Sequence, residues 1–389
     1  MALIHDFLLD LRGAERVFIA MCDVWPDADI FTAIYDEDAT EGRFAGREVR
    51  TSFLQKLRPN ARTFRTLLPL YPAAMESFDL SAYDLVVSSS SAWAHAVVCD
   101  PETVHVSYCH NPFRYAWNDR DSTLARRPEP VSRAMLRSLF RRWRQWDWIA
   151  AQRVDRYVTN SRTTQARVKT YFGRESTVVY PPVETHRFSP ATAGDHYVVL
   201  SELMPHKQID KAVHAFNVLG LPLQVIGDGP DLARLQRLAG PSVTFTGRIG
   251  DAEVARRLGG CRALVVTAVE EFGIAAVEAQ AAGRPVIAAA AGGALETVID
   301  GATGCFWSGG PDDLAAAVAD FDDAAVDPGA CVENAARFDT RIFRDLLPQQ
   351  VDEAIAGAQP RERPHGETVA GPSRPARRRR ARHPSPGER

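Results

Sequence analysis

Short apolar runs alternate with longer amphipathic stretches along almost the whole chain. Runs such as Ala2-Leu3-Ile4-His5 and Ala263-Leu264-Val265-Val266 lack the polar alternation of a half-solvated strand. Continuous apolar runs of this length suit strands buried on both faces. The first half predicts strands at 2–5, 28–33, 84–88, 104–108, 156–160 and 177–180. The second half predicts them at 196–201, 222–226, 242–246, 262–267 and 284–288. Helical periodicity fills the intervals, for example at 210–219 and 232–238. Strand–helix alternation in both halves predicts two doubly wound, Rossmann-like α/β domains with parallel sheets. The first is expected over 1–183 and the second over 195–339. Tyr180-Pro181-Pro182-Val183 opens the link between them, which is rich in Pro, Thr and Ala. A final helix is expected near 341–355, within a segment 340–358. Residues 359–389 hold Pro, Arg, Gly and Ser with almost no large apolar side chain, and are expected to be disordered.

Length and composition agree with this division. A chain of 389 residues exceeds one ordinary core. Its formal charge of -3 hides an asymmetry: the stretch 361–389 carries nine Arg against three Glu, a net of +6, which leaves -9 for the remainder. An acidic body gives no reason to expect a specific nucleic-acid partner. The six cysteines are scattered without a Cys-x-x-Cys pair, which suits reduced thiols rather than a disulfide framework or zinc site. The chain opens directly into a strand, so no signal peptide is expected. No apolar run approaches the ~20 residues needed to cross a bilayer. A cytoplasmic protein, soluble or peripheral on the inner face of the plasma membrane, is expected.

The run Glu270-Glu271-Phe272-Gly273-Ile274-Ala275-Ala276-Val277-Glu278 carries the most chemical information. It joins the apolar strand at 263–266 to an Ala-rich helix that should be buried because it is apolar nearly all round. A carboxylate at Glu278 on such a helix is costly unless something hydrogen-bonds it. The backbone N–H groups of Phe272, Gly273 and Ile274 open the helix, and such an end attracts phosphate. A pocket for a sugar diphosphate satisfies both needs. A buried helix whose Glu forms an internal salt bridge is the bland alternative.

This run resembles the Glu-x7-Glu signature of retaining glycosyltransferase family 4, which has the GT-B fold. The segments Gln280-Ala281-Ala282-Gly283-Arg284-Pro285-Val286-Ile287 and Gly292-Gly293-Ala294-Leu295-Glu296-Thr297-Val298 resemble its mannosyltransferase-like branch, associated with polysaccharide and O-antigen assembly. The resemblance implies that Glu270 contacts the donor sugar's hydroxyls and that Glu278 holds the nucleotide ribose. It implies that the final helix crosses back to the first domain. The implied reaction moves a hexose, mannose in that branch, from a nucleotide-diphosphate sugar to a saccharide or lipid-linked acceptor.

Lys207 follows a strand and precedes a helix, where a fixed cation can meet a diphosphate and stabilise a leaving group as it gains charge. The family places a phosphate-binding Lys there. Glu202 and Gln208 stand where relatives often carry Arg. Tyr108-Cys109-His110-Asn111-Pro112-Phe113-Arg114-Tyr115-Ala116-Trp117 ends a strand in His110 and resembles the segment whose His approaches the donor sugar. A structural His closing the strand end is the alternative. Gly247-Arg248-Ile249 resembles a segment lining the base pocket. Asp10-Leu11-Arg12-Gly13-Ala14-Glu15-Arg16 resembles a glycine loop near the acceptor and diphosphate, although relatives often show two glycines and only Gly13 is present. Gly227-Asp228-Gly229-Pro230 reads as a tight turn, which in the family borders the nucleotide, and Asn160-Ser161-Arg162 reads equally as a cleft-facing strand end or as a helix start capped by Ser161.

Three Asp-x-Asp-like triplets, at Asp27 and Asp29, Asp36 and Asp38, and Asp119 and Asp121, read as structural. With Lys207 and a helix end serving the phosphates, no metal or other cofactor is required. Two basic stretches, 136–156 and 53–71, mix Arg and Lys with aromatic or Leu residues. They suit either an anionic membrane surface or ordinary amphipathic helices. Two other functions stay open: a nucleotide-sugar epimerase of the same fold, and a non-catalytic GT-B partner. Glu202, Gln208, Thr267 (often Pro in relatives) and His95 (often Lys) support the latter.

Overall fold

The computed structural model describes residues 1–60, 63–127 and 129–358. Arg62 and the basic stretch 359–389 lie outside these residues. Thirteen parallel strands form two sheets among the described residues. The first holds β1 (Ala2–His5), β2 (Asp29–Thr32), β3 (Val49–Thr51), β4 (Leu85–Ser90), β5 (Val104–Cys109), β6 (Arg156–Thr159) and β7 (Ser176–Val178). Its order is β3-β2-β1-β4-β5-β6-β7. The second holds β8 (Tyr197–Leu200), β9 (Leu223–Ile226), β10 (Val243–Gly247), β11 (Leu264–Val266), β12 (Val286–Ala289) and β13 (Gly304–Trp307), in the order β10-β9-β8-β11-β12-β13. In each sheet the order reverses beside the first strand, and ligands of open α/β sheets bind at such switch points.

Continuous apolar strands form because both faces are covered. Ala2 and Ile4 join one core cluster and Leu3 the cluster on the opposite face. Val199 and Val198 divide likewise in the second sheet. The expected strands all form, with ends shifted by a residue or two. β3 and β13 were not expected. Both are edge strands: β3 is Val-Arg-Thr, and β13 begins at a glycine. β3 lacks the apolar run of a central strand, and in β13 the opening glycine leaves only Cys-Phe-Trp.

The helix Thr340–Gly357 returns to the first sheet. Phe343, Leu347, Val351 and Ala354 pack in its core with Val17 and Met21. Arg344 pairs with Asp23 at 2.8 Å, and Arg156 donates to Gln350 at 2.7 Å. The two chain crossings run side by side: Val183 N–H donates to Phe338 O and Thr340 N–H to Val183 O, each at 3.0 Å.

One buried carboxylate ties β1 to the loop after β4. Asp6 is 1% exposed and accepts from the amides of Ser91, Ala92, Trp93 and Ala94 at 2.5–3.0 Å. A charge can be buried when several donors satisfy it. Asp6→Ala would strand four buried donors, and we expect a loss of about 3–5 kcal/mol. A urea midpoint unchanged from the native chain would contradict this role.

Candidate active site

The C-terminal ends of the central strands in both sheets face a cleft of about 1150 Å³. All ten residues singled out from the sequence line it: Gly13 and His110 from the first half, and Lys207, Arg248, Ile249, Glu270, Phe272, Gly273, Ile274 and Glu278 from the second. Their side chains do not all point into it. Phe272 is buried against Tyr180 and Phe338, so it offers the cleft its backbone.

The Glu270–Ile274 loop is shaped by glycines on two levels. Gly273 precedes the helix Ile274–Ala281 with φ of 90°, a conformation that costs a residue with Cβ more than it costs Gly. Behind the loop, Gly292 and Gly293 press against its backbone. A Cβ on Gly293 would lie 2.3 Å from Phe272 Cα, and one on Gly292 would lie 2.3 Å from Glu270 O. Gly293 N–H donates to Glu270 O at 2.9 Å. Among the described residues, the amides of Phe272, Gly273 and Ile274 have no hydrogen-bond partner.

The charged groups fall into two sets. Most are paired across the cleft. Glu271 is bound by Arg114 at 2.8 Å and by Arg167 at 2.7 Å, both from the first half. Burial alone raises its carboxyl pKa, but the two guanidinium groups outweigh that and hold it below the ordinary range. Arg16 meets Asp251 at 2.8 Å, and Arg248 meets Asp10 at 2.8 Å. Glu296 accepts from the amides of Arg162 and Thr163, at the start of the helix Arg162–Phe172, and from Tyr180. Lys207 holds both oxygens of Glu270, at 2.7 and 2.8 Å, and its own carbonyl accepts from Thr267 at 2.7 Å.

Glu278 belongs to the other set. The sequence leaves it either a ligand or an internal salt bridge, and among the described residues it has no ion-pair or hydrogen-bond partner. Arg16 and Arg187 act on it only through space, and burial dominates, so its pKa rises above the ordinary carboxyl value. The site therefore holds an unpartnered acceptor and three unpartnered donors on one helix start. His110 closes the opposite wall. It is 8% exposed, and burial followed by the nearby His5 lowers its pKa to about 3.

The departures from the family pattern have structural partners. Arg12, next to Gly13, meets Glu202 across the cleft at 2.7 Å, so the acidic residue at 202 is held in an ion pair. Thr267 anchors the carbonyl of Lys207. His95 lies 3.2 Å from the fully buried Asp147, away from the cleft. Gln208 has φ of 52°, where it starts the helix Ile209–Leu219. Ser161 caps its helix by accepting from Thr164 N–H at 3.1 Å. Sequence reasoning missed Arg12, Arg16, Arg187 and Glu271 as cleft residues, because their partners lie on the other half of the chain.

The sequence matches two family descriptions that adjoin within this architecture. Residues 11–187 match "Glycosyltransferase Family 4" and residues 183–338 match "Glycosyl transferases group 1". The chain belongs to family 4 of the glycosyltransferases. It is similar to the GDP-mannose-dependent alpha-(1-6)-phosphatidylinositol monomannoside mannosyltransferase of Mycolicibacterium smegmatis, with 34% identity over 177 residues, 37% of this chain and 46% of that protein. The chain spans about half the length of the curated relatives it matches. Its fold is similar to that of sucrose-phosphate synthase from Thermosynechococcus elongatus (TM-score 0.69, 17% identity, 92% and 100% of the two chains covered). It is also similar to Anabaena HepE in complex with UDP (TM-score 0.66, 18% identity, 91% and 100% covered). These likenesses establish a GT-B fold for this family 4 chain.

Glu271 and Glu278 should respond oppositely to neutralisation. The stabilisation from Glu271 is full above the ordinary carboxyl range and is lost as pH falls through its depressed pKa. The penalty at Glu278 is full above its raised pKa and disappears below the ordinary value. At pH 7, Glu271→Gln should destabilise the chain by about 3–5 kcal/mol, since it leaves two cations short of a counter-charge. Glu278→Gln should raise the melting temperature at pH 7, and this gain should vanish near pH 4. Melting curves at both pH values check the pair; equal shifts of the same sign would contradict the assignment.

Proposed function

We propose that the chain transfers a hexose, mannose in the first instance, from a nucleotide-diphosphate sugar to a saccharide or lipid-linked acceptor, with retention at the anomeric carbon. The observation that carries this reading is the pairing of unpartnered groups at one helix start. The amides of 272–274 offer hydrogen-bond donors to a phosphate, and Glu278 offers an acceptor to ribose hydroxyls. Lys207 and Glu270, already bonded to each other, are placed to divide between the leaving phosphate and the sugar hydroxyls. Arg248 and Ile249 border the base. This set serves the diphosphate without a metal ion or other cofactor. The relatives' name makes GDP-mannose the first donor to test.

The acceptor is assigned to the first half. A second cavity of about 310 Å³ adjoins the cleft there, lined by Phe7, Phe64, Phe113 and Tyr115 together with Arg65 and Arg114. Aromatic walls with two guanidinium groups suit an acceptor that has an apolar part and an anionic group. Approach to an anionic membrane surface has support from the helix Pro130–Ala151. Its Phe140 and Trp143 turn out to be core residues, but Val131, Met135 and Trp148 are exposed beside Arg137, Arg141 and Arg142. Among the described residues no helix is long and apolar enough to cross a membrane.

Turnover of GDP-mannose and UDP-glucose with membrane extract tests the proposal. Glu270→Ala should lower kcat roughly a hundredfold with little change in donor affinity, as expected for a group acting in the transition state. Glu278→Ala should chiefly weaken donor binding. The transferred sugar should keep the donor's anomeric configuration by NMR. Near-native kinetics for both variants, or an inverted product, would overturn the reading.

A further inference from the structure

Behind His110 runs a line of buried polar side chains that the donor contacts do not explain. His5 ends β1, Ser89 lies in the adjacent β4, and His110 follows β5 on the far side of β4. His5 Nδ1 is 3.1 Å from Ser89 Oγ, and the same oxygen is 2.9 Å from His110 Nε2. On the other side, His5 Nε2 lies 3.7 Å from Glu15 Oε1, while Glu15 Oε2 accepts from Arg12 N–H at 3.0 Å. Exposures along the line are 5% for Glu15, 1% for His5, 0% for Ser89 and 8% for His110. His5 is further held by stacking on Phe18 at 4.7 Å.

The line has a direction. At 3.7 Å the Glu15 carboxylate is beyond hydrogen-bond distance of His5, but its charge favours a proton on the facing Nε2; a ring carrying that single proton leaves Nδ1 bare. Its Nδ1 is then a lone pair and accepts from the Ser89 hydroxyl. A hydroxyl has one proton to give, so Ser89 Oγ accepts from Nε2–H of His110. The remaining nitrogen of His110, Nδ1, thereby carries a lone pair. It has no protein partner among the described residues, and His110 lines the cleft. The low pKa from burial and His5 keeps the ring neutral at physiological pH.

We infer that Glu15, His5 and Ser89 are positioning residues that fix His110 as the Nε2–H tautomer, so that it presents a hydrogen-bond acceptor to a substrate hydroxyl. This rests on reading the cleft as a sugar-donor site. A neutral acceptor nitrogen selects hydroxyl groups and disfavours phosphate, so it separates the sugar end of the donor from the diphosphate end at the helix start. Because Glu15 also holds the Arg12 amide, the loop before the first helix and the His110 tautomer share one carboxylate.

The tautomer is measurable without turnover. Long-range ¹H–¹⁵N spectra of the histidine-labelled full chain, with His110 assigned by its loss in His110→Gln, should show an unprotonated Nδ1 and a protonated Nε2. A protonated Nδ1 in the native chain would overturn the inference. In Glu15→Gln the new amide can donate to His5, and the line should reverse to give the Nδ1–H tautomer; an unchanged tautomer would count against the relay. Ser89→Ala should lower kcat about tenfold, the worth of one hydrogen bond, with nucleotide affinity unchanged. Ser89→Thr, which restores the hydroxyl, should recover it; loss in Ala without recovery in Thr would mean that Ser89 matters only for packing. The expected tautomers without any transfer would refute the transferase reading and leave the relay standing. Transfer with the opposite tautomer would do the reverse.

Discussion

The Glu271 side chain is only 13% exposed between the two sheets, and it can remain charged there only because Arg114 and Arg167 reach it from the first half. That requirement fixes more than one ion pair. Glu271 sits between Glu270 and the amides of 272–274, so placing it also places the helix start that faces a ligand. Arg114 belongs to the segment after β5, and Arg167 to the helix Arg162–Phe172. The donor-side loop and the His110 wall are thus held at one separation by a charge that must stay paired. Glu296 repeats the device from the second sheet by accepting from the first amides of the same helix.

Against this background the unpaired groups acquire meaning. A fold that pairs Glu271, Asp10, Asp251 and Glu202 across the cleft leaves Glu278 alone, on a helix whose other buried residues are alanine, valine and a fully hydrogen-bonded Gln280. Keeping a carboxylate in that position costs stability, and groups kept at such a cost are characteristic of binding sites. The Lys207–Glu270 pair occupies an intermediate place. It is satisfied as it stands, yet each partner is the right chemistry for a different part of a sugar diphosphate. The Arg12–Glu202 pair bears on whether the chain has lost a cation. Glu202 is itself met by a cation, Arg12, from the opposite wall.

What could be read from the sequence follows from the range of each interaction. Central strands are legible because burial on both faces writes a continuous apolar run, while β3 and β13, at the sheet edges, need no such run. The Glu270–Glu278 spacing is local, so the helix start and its amides could be placed in advance. Pairing across the cleft joins residues from 104 to 238 positions apart, and nothing local marks Arg16 for Asp251 or Arg167 for Glu271. For the same reason Glu202 reads from the sequence as a lost cation, although Arg12 meets it across the cleft. The basic aromatic stretch at 136–156 leaves two readings open, because the sequence does not say that Phe140 and Trp143 serve the core while Arg137, Arg141 and Arg142 are exposed on the outer face.

The central claim is that the helix start at Gly273, with Glu278, is a nucleotide-diphosphate site that needs no metal. Calorimetric titration of GDP, and then UDP, into the full chain in the presence of a chelator tests it most directly. The account predicts saturable binding of one nucleotide, lost in Glu278→Ala and unaffected by added Mg²⁺. Binding that appears only with Mg²⁺, or that survives intact in Glu278→Ala, would contradict it.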